Sequence, residues 1–280
     1  MVSHDLTAYL ISLIVKGIVM KFVFLICTGI MPSVFAVNAF AQISGISNSK
    51  IVVPASETVP AGTFEFEPSF EVFRSNQKWD QDGSLLNLIN RTTESALGFR
   101  FTAGFKHNIE AGLIVPQDVS SLNFGLKWQF RSGGNASLAL QSGINFDTKS
   151  GVRSNEAKTA KIIGSGLVLT YIISEKVSVD SDFTFSYHSN DMEDEPVNWS
   201  NTLNIGIGYF LSENFQGVAE INSASARFVS SGSTSKTSAV LGFTYKASEL
   251  TKVIMGVEYD LFGSNNDKGI AYIGAFTFVI

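Results

Sequence analysis

The chain has 280 residues, of which 45% are apolar and only 16% charged, with a net charge of −5. Mean hydropathy is barely positive at +0.18, and beyond the first forty residues no apolar run reaches the length of a membrane-spanning helix. No basic patch offers itself to nucleic acid, and a single cysteine excludes a disulfide framework.

The amino end reads as an export signal over residues 1–41. Met20 and Lys21 make a short basic start, residues 22–35 an apolar core, and Ala39, Phe40 and Ala41 a small-x-small cleavage site before Gln42. Met20 then competes with Met1 as the start of translation, and an uncleaved anchor helix is the plainer alternative. Cys27 follows Ile26 rather than the small residue a lipoprotein site wants, so it reads as a core residue of the signal. Removal of Lys16, Lys21 and Asp5 with the signal takes the net charge from −5 to −6. Residues 42–62 are polar, rich in small side chains and punctuated by Pro54 and Pro60. They read as a periplasmic lead-in without a core of its own, before a barrel spanning residues 63–280.

From residue 63 the chain alternates. Phe64, Phe66, Phe70 and Val72 fall on one face, and Glu65, Glu67, Ser69 and Glu71 on the other. Leu97, Phe99, Phe101, Ala103 and Phe105 repeat the pattern, as do Leu122, Phe124, Leu126, Trp128 and Phe130. So do Val177, Val179, Phe183, Phe185 and Tyr187, then Leu203, Ile205, Ile207 and Tyr209, then Val253, Met255, Val257, Tyr259 and Leu261. Alternation of this kind marks a strand wet on one side only. Weaker strands fit residues 109–115, 135–147, 162–173, 215–226 and 236–246. The last run, residues 269–280, puts Tyr272, Gly274, Phe276, Phe278 and Ile280 on one face. It resembles the assembly signal of bacterial outer-membrane barrels, with Ile280 where Phe is usual. Its open edge is expected to pair with the first strand and so close a barrel. About twelve strands result, an even number, as single-chain bacterial barrels have.

Short turns are expected at residues 106–108, 131–134, 174–176, 212–214 and 247–251. They interleave with mostly longer links at 74–93, 116–120, 148–160, 189–198, 229–235 and 263–268. Tight turns on one rim and longer loops on the other match an outer-membrane barrel, with the tight turns periplasmic. A repeat Y-x-x-S-E begins at Tyr171, Tyr209 and Tyr245, spaced 38 and 36 residues apart, which is one hairpin period. These tyrosines, with Trp128, end strands at the short-turn rim. Tyr187, Trp199, Tyr259 and Tyr272 do so at the other, giving two aromatic girdles. A secreted β-sandwich is the alternative, but sandwich strands usually run to about 5–6 residues and these are longer.

The opening Thr58-Val59-Pro60-Ala61-Gly62-Thr63-Phe64-Glu65-Phe66-Glu67-Pro68-Ser69-Phe70 resembles the first-strand signature of the family named for the meta-pathway of phenol degradation. The Y-x-x-S-E hairpin turns are similar to that family's as well. The resemblance implies an outer-membrane barrel or transporter, at times associated with aromatic compounds, and implies location and architecture more firmly than a substrate.

With the apolar faces toward lipid, the alternate positions line a lumen carrying Glu65, Glu67, Glu71, Arg100, Lys127, Gln129, Asp180, Asp182, Glu220, Lys246, Glu258 and Asp260. Carboxylates outnumber basic groups eight to three, so an open pore is expected to favour cations. In a narrow barrel the same charges pair and fill the interior, and Glu67 with Arg100 is the pair the strand heights suggest. Ile162, Val168, Ile172, Ile273 and Val279 also face inward on this register. His188, with Asp191, Glu193, Asp194 and Glu195, marks an outer-rim cluster that reads more readily as a solvated loop than as a catalytic site, and His107 lies in a turn. G-x-S-x-G is absent. Gly164-Ser-Gly166 and Gly206-Ile-Gly208 read as strand glycines making room inside the barrel. No catalytic residue, cofactor or metal ligand is assigned. The expectation is a bacterial outer-membrane channel or transporter for small solutes, with a structural or adhesive barrel as the alternative and a barrel enzyme third. The expected partners are outer-membrane lipid and lipopolysaccharide, the barrel-assembly machinery and a small-molecule solute.

Overall fold

The computed structural model describes residues 46–47, 50–148, 161–189, 197–228 and 232–280. The expected export signal and the acidic loop residues 191–195 lie outside them. Among the described residues there is no helix, and twelve strands follow in chain order. They are β1 (Phe64–Trp79), β2 (Leu85–Phe105), β3 (Ile109–Pro116), β4 (Ser121–Gly133), β5 (Ala136–Asp147) and β6 (Lys161–Ser174). β7 (Val177–Ser189), β8 (Val197–Phe210), β9 (Phe215–Phe228), β10 (Ser233–Ser248), β11 (Thr251–Ser264) and β12 (Asn266–Val279) complete the set. Each pairs antiparallel with its neighbours in the chain, and β12 pairs with β1, so the sheet is a closed up-and-down barrel.

Closure removes the edge that the last strand otherwise presents. The Phe64 N–H donates to the Ile280 carbonyl at 3.2 Å, and the Ile280 N–H donates back to Phe64 at 2.8 Å. On the outer side of this seam Phe66 stacks on Phe101 and Phe278, with centroids 5.2 and 6.3 Å away. Such cross-strand aromatic pairs fix the register of the closing strands. The short-turn rim is sharply built: in the three-residue turn between β2 and β3, His107 and Asn108 both take positive φ, 65° and 56°.

Two of the predicted links shrink. Residues 74–93 were expected to be a loop, yet β1 continues to Trp79 and β2 begins at Leu85. Residues 263–268 were expected to be another, yet only Asn265 separates β11 from β12. Alternation reports a strand only where its two faces meet different media. Past the apolar belt both faces are wet, the pattern vanishes, and backbone pairing alone carries the hairpin onward.

The outward face is apolar along the barrel's height: Phe70, Phe124, Leu167, Phe183, Ile205, Leu241 and Met255 are all exposed. Among the described residues the buried side is largely polar, with Glu67, Arg100, Glu110, Lys127, Asp180, Asp182, Glu220 and Asp260 among its members. This is the reverse of a water-soluble core, and it excludes the sandwich reading.

Candidate functional site

The sequence suggested a periplasmic lead-in without a core of its own. Its described residues run inside the barrel, where Val53 is 0% and Ser56 0% exposed. A segment of this composition cannot bury itself, but it can share an interior that already exists. The barrel wall supplies the partners for its backbone.

Among the described residues the wall holds it at several places, all toward the short-turn rim. Glu110, the second residue of β3, accepts from the Ser47 N–H at 2.7 Å and from the Val59 N–H at 2.7 Å. One carboxylate therefore ties both ends of a loop that crosses the lumen. Lys127 on β4 lies 3.2 Å from the same carboxylate and donates to the Ala55 carbonyl at 2.9 Å. Across the barrel, Glu220 on β9 accepts from the Ile51 and Val52 N–H groups at 2.8 and 3.0 Å. Lys50 forms an ion pair with Asp180 on β7 and donates to Ser178 at 3.3 Å. On β5 and β6, Ser56 donates from its hydroxyl to Ser137 and from its backbone to Thr170, both at 2.9 Å.

The fit is also one of shape. Ile51 packs against Val218, Val240, Ile254 and Ala275, an apolar patch on the inner wall of β9–β12 flanked by Ile273. A Cβ on Gly256 would stand 2.8 Å from the Ile51 Cδ1, and one on Gly206 would stand 2.8 Å from the Lys50 Cδ. Glycine at these two wall positions leaves the room that the segment occupies.

The residues expected to line the lumen divide into three groups. Glu67, Arg100, Lys127, Asp180, Asp182, Glu220 and Asp260 are buried inside. Arg100 bonds Glu67 at 2.8 Å, the pair anticipated from strand height, lies 3.8 Å from Glu65, and also donates to the Ile46 carbonyl at 3.0 Å. Farther out, Lys236 bridges Asp260 at 3.2 Å and Glu258 at 3.8 Å, with Glu71 partly buried on β1. Asp182 accepts from Asn204 at 3.0 Å, and Gln141 donates to Thr184 at 2.9 Å. Lys246 and Gln129 sit at the short-turn rim, where Lys246 reaches Glu249 at 2.7 Å rather than pointing into the interior. Of the apolar positions expected inside, Val168 is fully buried, whereas Ile172 is exposed at the rim.

Sequence reasoning missed Lys50, Glu110 and Lys236 as interior charges. Glu110 and Lys236 sat on strands too weakly patterned to fix a register. Lys50 preceded the one apolar run of the lead-in, Ile51-Val52-Val53, and that run was the available signal. The girdle residues Trp128, Tyr171, Tyr209 and Tyr245, and at the opposite rim Tyr187, Tyr259 and Tyr272, are outward and exposed. Trp199 pairs with Tyr187 across β7–β8 and stacks on Phe185 at 6.1 Å. His188 lies 2.8 Å from the Ser200 hydroxyl. Among the described residues no group of three or more His, Cys, Asp or Glu side chains is placed to hold a metal ion.

A closed antiparallel barrel with this outward face is of the outer-membrane class. The chain is similar in fold to the COG4313 outer membrane channel from Pseudomonas putida F1, at a TM-score of 0.64 and 12% identity, over 80% of this chain and 98% of that one. The NanC porin gives a TM-score of 0.48 at 9% identity over 76% of this chain and 98% of the other. The KdgM porin in complex with disordered oligogalacturonate gives 0.48 at 10% over 77% and 98%. No family profile and no curated protein sequence matches the chain.

Proposed function

We propose that the protein is a bacterial outer-membrane channel for passive passage of small solutes, held closed by residues 50–60 of its own chain. The supporting observation is how that segment is bound. It is tied by hydrogen bonds and one ion pair to carboxylates on the wall, and Ile51, with Val52 beside it, packs against an apolar patch. Glu220 and Asp180 lose protein partners when the segment leaves, and lumen water can hydrate both in its place. The closure is therefore reversible in a way that a covalently continuous, apolar core is not. The departure also uncovers Val218, Val240, Ile254 and Ile273 beside Glu220, a wall suited to solutes that are partly apolar. That pairing supports the reading of hydrophobic or aromatic compounds as cargo.

The test is conductance of the purified full chain in planar bilayers. The variant Asp180→Asn/Glu220→Gln weakens two of the anchors, and its open probability is expected to rise about tenfold for each ~1.4 kcal/mol of lost closure. Absence of single-channel steps in wild type and variant at every salt concentration removes the channel reading. The barrel is then a structural one whose loops act. The filled lumen is the observation that favours that second reading.

A further inference from the structure

The outward face carries one feature that neither strand pairing nor a channel requires. Between Ser75 and Gln77 the ladders of β1 slip on both sides. Against β12 the slip is a single extra residue, Asn76, since Ser75 pairs with Gly269 and Gln77 with Lys268. Against β2 it is wider: Ser75 pairs with Thr92 and Gln77 with Asn87, so residues 88–91 have no partners across the ladder. Bulges of this kind re-aim side chains. Here the slip opens a cavity of about 340 Å³ whose lining includes Arg74, Arg91, Lys268, Tyr259 and Tyr272.

Three cations meet in a protein of net charge −5, and among the described residues lining the cavity there is no Asp or Glu. The contrast with the interior is sharp, where Lys50, Arg100, Lys127 and Lys236 each have a carboxylate. Rings hold two of these outer cations instead. The Arg74 guanidinium lies 5.9 Å over Tyr272, and the Lys268 ammonium lies 5.7 Å over Tyr259 and 5.8 Å over Trp79. Cation–π contact positions a charge without neutralising it.

Depth identifies the ligand. Tyr272 pairs with Val72, and Arg74 is one outward step beyond it, opposite Ile270. The cations thus stand just past the aromatic girdle at the long-loop rim, where lipid headgroups begin. The bulge that carries Arg91 also leaves Ile89 101% exposed. A free phosphate has no use for an apolar side chain there, whereas a lipid offers both headgroup and acyl chain. We propose that Arg74, Arg91 and Lys268 form a binding site for a phosphorylated glycolipid of the outer leaflet, the phosphate taken by the two guanidinium forks and the ammonium. The site rests on the outer-membrane reading but not on conduction.

The full-length protein in detergent is titrated with diphosphoryl lipid A, with dephosphorylated lipid A and with inorganic phosphate, and bound lipid is counted by native mass spectrometry. Diphosphoryl lipid A is expected to bind at least about tenfold more tightly than the dephosphorylated form, and Arg74→Gln/Arg91→Gln/Lys268→Gln to lose about that factor. Ile89→Ser is expected to weaken lipid A while leaving any inorganic phosphate binding unchanged. Equal binding of the two lipid forms, or an unaltered triple variant, overturns the site. Inorganic phosphate competing at lipid A's own concentrations reassigns it to a free anion and overturns the lipid. Wild type and variants are checked for faster migration of unheated samples on detergent gels, so that loss of the barrel is told apart from loss of the site. If the triple variant fails that check, the three single variants are read against the same outcomes.

Discussion

Glu110 shows what one side chain can organise. Its carboxylate meets the Lys127 ammonium at 3.2 Å, the Ser47 N–H and hydroxyl, and the Val59 N–H, with carboxylate and ammonium both shut away from solvent. Removing one partner of such a pair leaves a buried charge with no counter-charge, which costs about 3–5 kcal/mol. Glu110→Ala is therefore expected to lower the unfolding free energy of the detergent-solubilised barrel, read from its urea transition, by that much. Glu110→Ala/Lys127→Met is expected to recover a large part of the loss, because the orphaned ammonium goes with it. A double variant no more stable than the single one removes the pairing as the cause. Period-two alternation located Glu67 and Arg100 in advance, since both sat on strongly patterned strands and their register followed from counting. Glu110 was invisible for a local reason: Ile109, Ala111 and Leu113 are outward but Ile114 breaks the alternation, so no face of β3 was legible.

Among the elements, the segment before β1 changes the reading of the molecule most. Taken alone it has too few apolar residues to fold, and nothing in its spacing indicates which surface it meets. Laid across the lumen, it finds a carboxylate for its amides on each side and a gap at Gly206 and Gly256 for its side chains. Ser56 and Ser137 face one another with oxygens 2.9 Å apart, which makes them the place to lock it. Cys27 lies in the expected export signal, so Ser56→Cys/Ser137→Cys adds the mature chain's expected thiols. Under oxidation the pair is expected to abolish channel steps, and a reductant to restore them. Steps that persist in the fully oxidised protein, with the disulfide verified by mass, place the conducting path elsewhere. Tertiary structure likewise decided how far the strands run. β2 reaches Leu85 through residues of mixed polarity that carry no periodic signal.

For the whole molecule, a ring of twelve strands sealed by β1 and β12 has no edge at which unfolding can start. Unheated protein is accordingly expected to run ahead of boiled protein on a detergent gel. Disturbing the seam is expected to lower the temperature of the switch. Phe66→Ala removes stacking against Phe101 and Phe278, and buried-type aromatic truncations cost about 3–5 kcal/mol. Because Phe66 faces lipid rather than a protein core, the loss is expected at or below the low end of that range. An unchanged switching temperature means that the seam's aromatics do not hold the barrel shut.

The order of residues along the chain determined the fold class, the approximate strand number, the outward aromatic rings and most of the interior charges, because each depends on a period of two that can be counted. It could not determine what fills the interior. A lumen's contents depend on which distant residues come to equal height across the barrel, and that is set by strand register and closure. Asp180, Glu220 and Glu110 come from three separate hairpins, and only the closed ring aims them at a single segment.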